Sequence, residues 1–361
     1  MEKNSYSPIP ISWYFDQDIY QMEQELIFKH SPIYVGHELM VPKLHDYFVL
    51  ERMNNAEMLM RNENSIDLIS NICRHHQGIM LSGNGNTEKI ICPLHHWTYD
   101  PEGTLKIAPR FPKNPCLNLL RQKLTNWHGI LFQGENVPKE LQLSSEVMSV
   151  IDFSGYEYTK SIQYTYQFNW KIFMEVFLDN YHVPSYHPGL RSFVNCNQQY
   201  WLINENYSTQ FVKIQSHPEN SPSPNYNKYA ELLLKYNKNL LPEFGAIWLA
   251  YYPNIMIEYY PHMLCISTVK PDGPFQCINN VDLFHRKEII SGYPDFINAA
   301  QAAFEETVYE DAEIAYSMYK GKQALNKKQL DQSGPYHPEL EKGMPSFYNF
   351  LRYRINPAIL G

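Results

Sequence analysis

Cys73-Arg74-His75-His76 and Cys92-Pro93-Leu94-His95-His96 are the stretches that decide how this chain is read. Each offers one thiolate and one imidazole, spaced C-x-H in the first arm (Cys73, His75) and C-x2-H in the second (Cys92, His95). Such a two-Cys, two-His set can hold one tetrahedral zinc ion. It can also hold a two-iron, two-sulfide cluster, with both Cys on one iron and both His on the other. A C-x-H pair sets its ligands close together on an extended loop, which suits two ligands reaching different irons. Zinc fingers usually bring paired Cys and paired His to a single ion. The spacing favours the cluster and leaves a zinc-stabilised binding module without redox chemistry as the alternative.

Outward from the arms, the pattern is that of a small antiparallel β domain. Ser82-Gly83-Asn84-Gly85-Asn86 supplies the positive-φ positions that a hairpin needs. It lacks the third glycine and the following helix of a nucleotide loop. Tyr47-Phe48-Val49-Leu50 and Ile66-Asp67-Leu68-Ile69 are strand-like, and Trp97 to Gly103 reads as a further strand and turn. Ahead of this domain, residues 16–30 space Ile19, Met22, Leu26 and Ile27 as a helix, with acids early and Lys29 late. Behind it, Asn136, Pro138 and Lys139 interrupt the periodicity between residues 134 and 146, where a boundary is expected.

The remainder predicts strands and long helices. A strand covers residues 161–166, a helix begins near Asn169, and several strands lie between residues 246 and 285. The Pro, Ser and Asn-rich residues 216–227 read as a mobile surface loop. A long helix over residues 294–320 carries a buried stripe of Phe304, Val308, Ala315 and Met318, and Asp311 falls on it.

Composition narrows the function classes. The chain has 361 residues, 44% of them hydrophobic and 14% aromatic, enough for two packed globular domains. Its formal charge of −8, with no run of Lys or Arg, argues against nucleic acid as a partner. The N-terminal stretch has no uninterrupted apolar region and the apolar run Ala246 to Ile257 is short and broken by Pro253, so a soluble cytoplasmic protein without a membrane span is expected. Cys116, Cys196, Cys265 and Cys277 have no motif spacing and read as small apolar residues.

A second donor set lies in Asn169 to Pro188. Pro184 is expected to break a helix after His182, so that His187 swings back toward the same centre. Asp179, three residues before His182, is expected to share its helical face. Two His and one carboxylate with open positions opposite is the arrangement of oxygen-activating mononuclear Fe(II). Asp311 is the best third ligand, because an acid on an apolar helical stripe is costly to bury unless paired or metal-bound. Asp179 is the runner-up, better placed as an outer partner.

Taken in order, the motifs resemble those of a Rieske non-haem iron oxygenase, specifically the terminal oxygenase (α) subunit of the ring-hydroxylating type. The resemblance runs from IYQMEQELIFKHSPIYVGHE through CRH and CPLHHWTYDPEGTL to NWKIFMEVFLDNYHVPSYHPGL and EDAEIAYSMYKG. It implies an α+β fold, with an N-terminal all-β Rieske [2Fe-2S] domain followed by a helix-grip catalytic domain of antiparallel sheet and long helices. The implied division is a helical segment packed on the catalytic domain at residues 1–38, the Rieske domain at 39–140 and the mononuclear iron domain at 141–361. Cys73, His75, Cys92 and His95 would bind the cluster, and His182, His187 and Asp311 the iron. Asp179 would be the bridge carrying electrons from one subunit's cluster to its neighbour's iron in a head-to-tail homotrimer.

The implied activity is hydroxylation or oxidative demethylation of a small organic substrate, either an aromatic compound or a methylated amine or betaine. Dioxygen is the co-substrate, and NAD(P)H electrons arrive through a separate reductase, possibly with a ferredoxin. No dinucleotide fingerprint or plant-type ferredoxin Cys pattern stands in the chain itself. Three residues depart from the family pattern. His76 replaces a common Arg, His96 a common Gly, and Val176 an Asn that many relatives have beside the iron. Phe244, Trp248, Tyr251, Tyr252, Tyr259 and Tyr260 are candidate pocket aromatics.

Overall fold

The computed structural model describes residues 9–332 and 334–360, with side chains to residue 355. The chain divides into two compact units, one made of residues up to Ser31 together with those from Leu141 onward, the other of Pro32–Glu140.

The Pro32–Glu140 unit is all-β around its core. Strands β1 (Ile33–His37), β2 (Asp46–Val49), β3 (Glu57–Arg61), β4 (Ile66–Ser70), β5 (Asn84–Asn86), β6 (Ile90–Ile91), β7 (Thr98–Tyr99), β8 (Leu105–Ile107), β9 (Arg121–Lys123), β10 (Thr125–Trp127) and β11 (Ile130–Gln133) form three antiparallel sheets. Their orders are β1-β11-β10, β5-β2-β3-β4-β9 and β6-β7-β8. Because β1 pairs along its length with β11, residues 32–38 belong to this unit and not to the N-terminal helical segment, where the sequence reading had put them. The Gly-Asn stretch is a turn only at its start: Gly83 takes a left-handed φ of 61°, whereas Asn84–Asn86 is extended as β5 beside β2, where a Cβ at Gly85 would press the Tyr47 ring at 3.0 Å.

The second unit is built on one seven-stranded antiparallel sheet, β12 (Tyr156–Tyr166), β13 (Val194–Ile203), β14 (Tyr207–Ile214), β15 (Phe244–Tyr251), β16 (Ile255–Tyr260), β17 (Met263–Pro271) and β18 (Cys277–Arg286). The order β12-β18-β17-β16-β15-β14-β13 puts β16 in the middle. The long helix spans Pro294–Lys327, opening with Pro294 and Asp295 and closing with Lys327, as its fixed φ and dipole favour. Its two halves enter different apolar clusters. Phe296, Ala299, Ala300, Ala303 and Phe304 pack with Trp248, Met263 and Cys265 of the sheet, whereas Ala315 and Tyr319 pack with Ala250, Met256 and the helix Trp170–Phe177. The turn between those halves carries Asp311, so the polar site falls where the two cores leave a gap.

The helix Trp170–Phe177 is gripped from several sides. Asn169 caps it by accepting from the Lys171 N–H. Glu23, at the end of the helix Gln17–Glu23, accepts from Trp170 Nε1 at 2.8 Å and from Lys171 Nζ, and all three residues are fully buried. Glu175 accepts from the Tyr14 hydroxyl and, at 2.7 Å, from Tyr348 in the C-terminal helix Gly343–Leu360, with Lys322 of the long helix 3.2 Å away.

Local structure departs from expectation at two places. The helix stops at Phe177, and Pro184 does not break it but opens a new short helix, Val183–Tyr186, near whose start its missing N–H costs nothing. Residues 216–227 are not simply a loop, since Ser223 caps the helix Pro224–Tyr236 and its hydroxyl donates to Glu306 at 2.8 Å. Among the described residues, no helix is long and apolar enough to cross a membrane.

Candidate metal centres and cavity

The two Cys-His arms are the same turn used twice. The Cys73 N–H donates to the Gly78 carbonyl at 2.9 Å and the Gln77 N–H to the Cys73 carbonyl at 3.0 Å. In the second arm the Cys92 N–H donates to the Trp97 carbonyl at 2.9 Å and the His96 N–H to the Cys92 carbonyl at 3.0 Å. Gln77 and His96, each four positions after its Cys, adopt left-handed φ of 55° and 58°. The unequal spacing is therefore a difference within one frame, the imidazole leaving at the second position after Cys73 and at the third after Cys92.

This frame presents a donor set. Cys73 and Cys92 are each 1% exposed in a core with Met58, Met60, Trp97 and Tyr99. The His75 ring stacks on Trp97 at 4.8 Å and meets His95 edge-on at 4.7 Å. Burial pushes the Cys92 thiol up, the N–H groups of Leu94 and His95 hydrogen-bond its sulfur and oppose that shift, and Cys73 beside it adds to it. His75 Nδ1 is buried without a hydrogen-bond partner among the described residues, an orphan that a metal would satisfy. Two buried thiols and two adjacent imidazoles fit a cluster of the Cys2His2 kind. His76, the replacement for a common Arg, lies with its ring 4.2 Å from that of His75.

The second donor set assembles tightly. His182 and His187 bring their Nε2 atoms to 2.9 Å, and Asp311 Oδ1 lies 3.3 Å from the first and 3.0 Å from the second. The three donors all fall within 4.8 Å of one another. Asp311 Oδ1 is buried with no hydrogen-bond donor among the described residues, although 36% of the side chain stays open to solvent. Carboxylates also hold the far side of each ring. Asp179 Oδ2 is 3.1 Å from His182 Nδ1, and Glu310 Oε2 is 2.6 Å from His187 Nδ1. The hydrogen bond to Glu310 fixes the His187 ring with Nε2 directed inward, the tethering that metal-binding imidazoles use, and Asp179 stands at ion-pair distance on the same side of His182.

Asp179 does not achieve this from a shared helical face. It sits beyond the helix end, and its Oδ1 accepts the N–H groups of Tyr181 at 2.6 Å and His182 at 3.3 Å, a side-chain turn that places His182. Electrostatics agree with donors converging on a cation. Burial alone would lower His182, but Asp179 and Asp311 together lift it to about 9. His187 is likewise raised, Asp311 and Glu310 outweighing burial, and Asp311 is held low by the two imidazoles against its own burial.

The triad lines a cavity of about 90 Å³ between the sheet and the long helix. Of the six aromatics considered from sequence, Trp248 and Tyr260 line it. Tyr252 packs instead against Phe347 and Phe350, and Phe244 against Phe211. Val176 also lines the cavity, so the position where many relatives carry Asn is apolar here. Two acids were missed by sequence reasoning. Glu310 directly precedes Asp311, but an acid on a helix beside another acid is indistinguishable from a solvated face. Glu258 stands in the apolar strand Ile255-Met256-Ile257-Glu258-Tyr259-Tyr260, where a lone acid on the inward-facing register was the available signal.

Comparison with known proteins gives the fold and site their family. Residues 31–122, which contain both Cys-His arms, match the Rieske [2Fe-2S] domain, and residues 153–356 match the ring hydroxylating alpha subunit (catalytic domain). The first match sets aside the zinc-stabilised module. The chain is 42% identical to putrescine 2-hydroxylase of Ralstonia nicotianae over 96% of its own length and 95% of that protein, and 39% identical to the enzyme of that name from Bordetella bronchiseptica over 95% and 84%. Choline monooxygenase of Spinacia oleracea is 25% identical over 97% and 78%. Among solved structures, a quaternary ammonium Rieske monooxygenase superposes with a TM-score of 0.75 at 18% identity over 97% of both chains, a likeness of fold. The chain therefore belongs to the Rieske non-haem iron oxygenases, as a terminal oxygenase α subunit of the ring-hydroxylating type, an oxidoreductase that carries a Rieske [2Fe-2S] centre and a mononuclear non-haem iron and uses dioxygen.

Proposed function

We propose that this chain hydroxylates a carbon of a small aliphatic diamine, with putrescine as the leading substrate. The observation that carries the oxygenase chemistry is the convergence of His182, His187 and Asp311 on one wall of a small cavity. Near full-length kinship with two putrescine 2-hydroxylases directs the substrate toward an unmethylated diamine, ahead of the aromatic compounds, betaines and methylated amines that the family resemblance admits. The balance is R–H + O2 + NAD(P)H + H+ giving R–OH + H2O + NAD(P)+. The two electrons come from a separate reductase, and the protein works in the cytoplasm where NAD(P)H is available.

In this reading Cys73, His75, Cys92 and His95 hold the cluster, and His182, His187 and Asp311 hold the iron. When bound, these groups supply single electrons and a place for dioxygen to be reduced. The chain's own residues do the rest. Asp179 and Glu310 keep the two imidazoles oriented. Val176, Phe177 and Phe304 line the cavity with apolar surface that keeps bulk water from the reacting carbon. Asp179, 3.1 Å from His182 Nδ1, keeps 21% of its side chain open to solvent, and an imidazole of a neighbouring subunit's cluster would approach it there, which is how a head-to-tail homotrimer would pass electrons between chains.

A substrate panel tests this. With a Rieske-type reductase and NADH, the holoenzyme is expected to consume oxygen in proportion to butane-1,4-diamine and to give a product heavier by one oxygen atom. Choline, carnitine and naphthalene are expected to give neither. Oxygenated product from choline or naphthalene, with none from the diamine, would overturn the substrate assignment.

A further inference from the structure

Glu258 is the cavity's unexplained charge. It sits on the central strand β16, 6% exposed, on the wall opposite the long helix that carries Asp311. Its cross-strand partners are Trp248 and Cys265, and Trp248 in turn pairs with Gln210, so an inward-facing row runs across the sheet with this carboxylate at its middle.

Among the described residues, all its hydrogen-bond partners are neutral. Tyr260 donates its hydroxyl to Oε2 at 2.8 Å, Ser267 Oγ donates to Oε1 at 3.3 Å, and Cys265 Sγ lies 3.7 Å from Oε1. Trp248 Nε1 donates to the Tyr260 hydroxyl at 2.9 Å, which fixes the hydroxyl that holds the carboxylate. Among the described residues no Lys, Arg or His forms an ion pair with Glu258, in contrast to the buried Glu23, which has Lys171. A buried carboxylate without a cation is costly, and burial pushes this one up to about 7, with the charge of Asp311 adding to the shift.

The surrounding walls suit a cation. The Tyr260 ring meets Trp248 edge-on at 6.5 Å and Phe304 edge-on at 5.9 Å, and all three aromatic side chains line the cavity with the carboxylate. Carboxylate, aromatic walls and a narrow cavity together make a socket for an alkylammonium end.

We propose that Glu258 anchors one ammonium group of the substrate, holding an aliphatic amine by its end so that a carbon along the chain faces His182, His187 and Asp311. This inference rests on the amine reading given above and deepens it by naming the residue that selects the charge. Glu258 is then a specificity-determining residue, and Tyr260 and Trp248 are positioning residues that act through it.

The test is equilibrium binding to the anaerobic holoenzyme, which requires no turnover. Glu258→Gln keeps the shape and an oxygen acceptor for Tyr260, and Glu258→Asp keeps the charge. Titration calorimetry with butane-1,4-diamine is expected to show Kd raised about 100-fold in Glu258→Gln, with partial recovery in Glu258→Asp. Affinity for butane-1,4-diol, the uncharged analogue, is expected to be the same in all three proteins. Circular dichroism and the cluster absorbance report that each variant is folded. If Glu258→Gln binds the diamine as tightly as the parent, the anchor is overturned while the diamine reading stands. If the parent binds no alkylammonium at all, both fall together.

Discussion

Replacing Asp311 by alanine is expected to reduce hydroxylation by more than about 100-fold, since loss of even an outer partner of a metal ligand costs about 10–100-fold in affinity or activity. Among the described residues, Asp311 is the one carboxylate that reaches both inward-facing nitrogens, 3.3 Å from His182 Nε2 and 3.0 Å from His187 Nε2. It sits in the gap between the two apolar clusters, so truncation removes no large packed surface. The cluster absorbance of the variant is expected to match that of the parent, because Cys73, His75, Cys92 and His95 all lie in the other compact unit. Its iron content is expected to fall while inorganic sulfide stays constant. A variant that keeps full iron and full turnover would remove Asp311 from the ligand set, and the isosteric Asp311→Asn distinguishes loss of charge from loss of shape.

The second large effect falls on stability. Glu23→Ala is expected to destabilise the unit by about 3–5 kcal/mol, because the fully buried Lys171 loses its ion-pair partner and Trp170 Nε1 loses its acceptor. Burial already holds the Lys171 amine below its usual range, with Glu23 as the chief force in the other direction. At about 2–4 °C per kcal/mol, the corresponding fall in Tm is on the order of 10 °C. The double variant Glu23→Leu, Lys171→Met is expected to recover most of the loss, since it removes the unpaired charge and fills the site with apolar atoms. Differential scanning calorimetry checks this, and a single variant no worse than the double would contradict the account. The helix at stake carries Val176 and Phe177 into the cavity, so the same pair that stabilises the fold also positions the site.

The donor sets were legible in the sequence because metal chemistry permits few residue types and closely set ligands. Cys73 with His75, Cys92 with His95, and His182 with His187 stand out for that reason. Asp311 was legible through a contradiction, an acid on an apolar stripe, and it stands where the packing of the long helix changes partners. The geometry holding His182 was not legible. Helical periodicity placed Asp179 and His182 on one face, whereas the helix ends at Phe177 and a side-chain turn does the positioning. Local periodicity carries no record of Glu23, 148 residues away from Lys171, yet that pair is part of what seats the helix. Glu310 and Glu258 were hidden for a related reason, since an acid reveals a role only when its tertiary neighbours are known.

On the reading proposed above, His182, His187 and Asp311 form the place where oxygen enters an aliphatic diamine. A single turnover under 18O2 tests it most directly. The holoenzyme, its cluster and iron reduced chemically so that no reductase is needed, is mixed with butane-1,4-diamine and 18O2, and the product is analysed by mass. A hydroxylated diamine carrying one 18O atom is expected from the parent protein and none from Asp311→Ala. Oxygen uptake with unmodified diamine, or product labelled from water instead of 18O2, would contradict it.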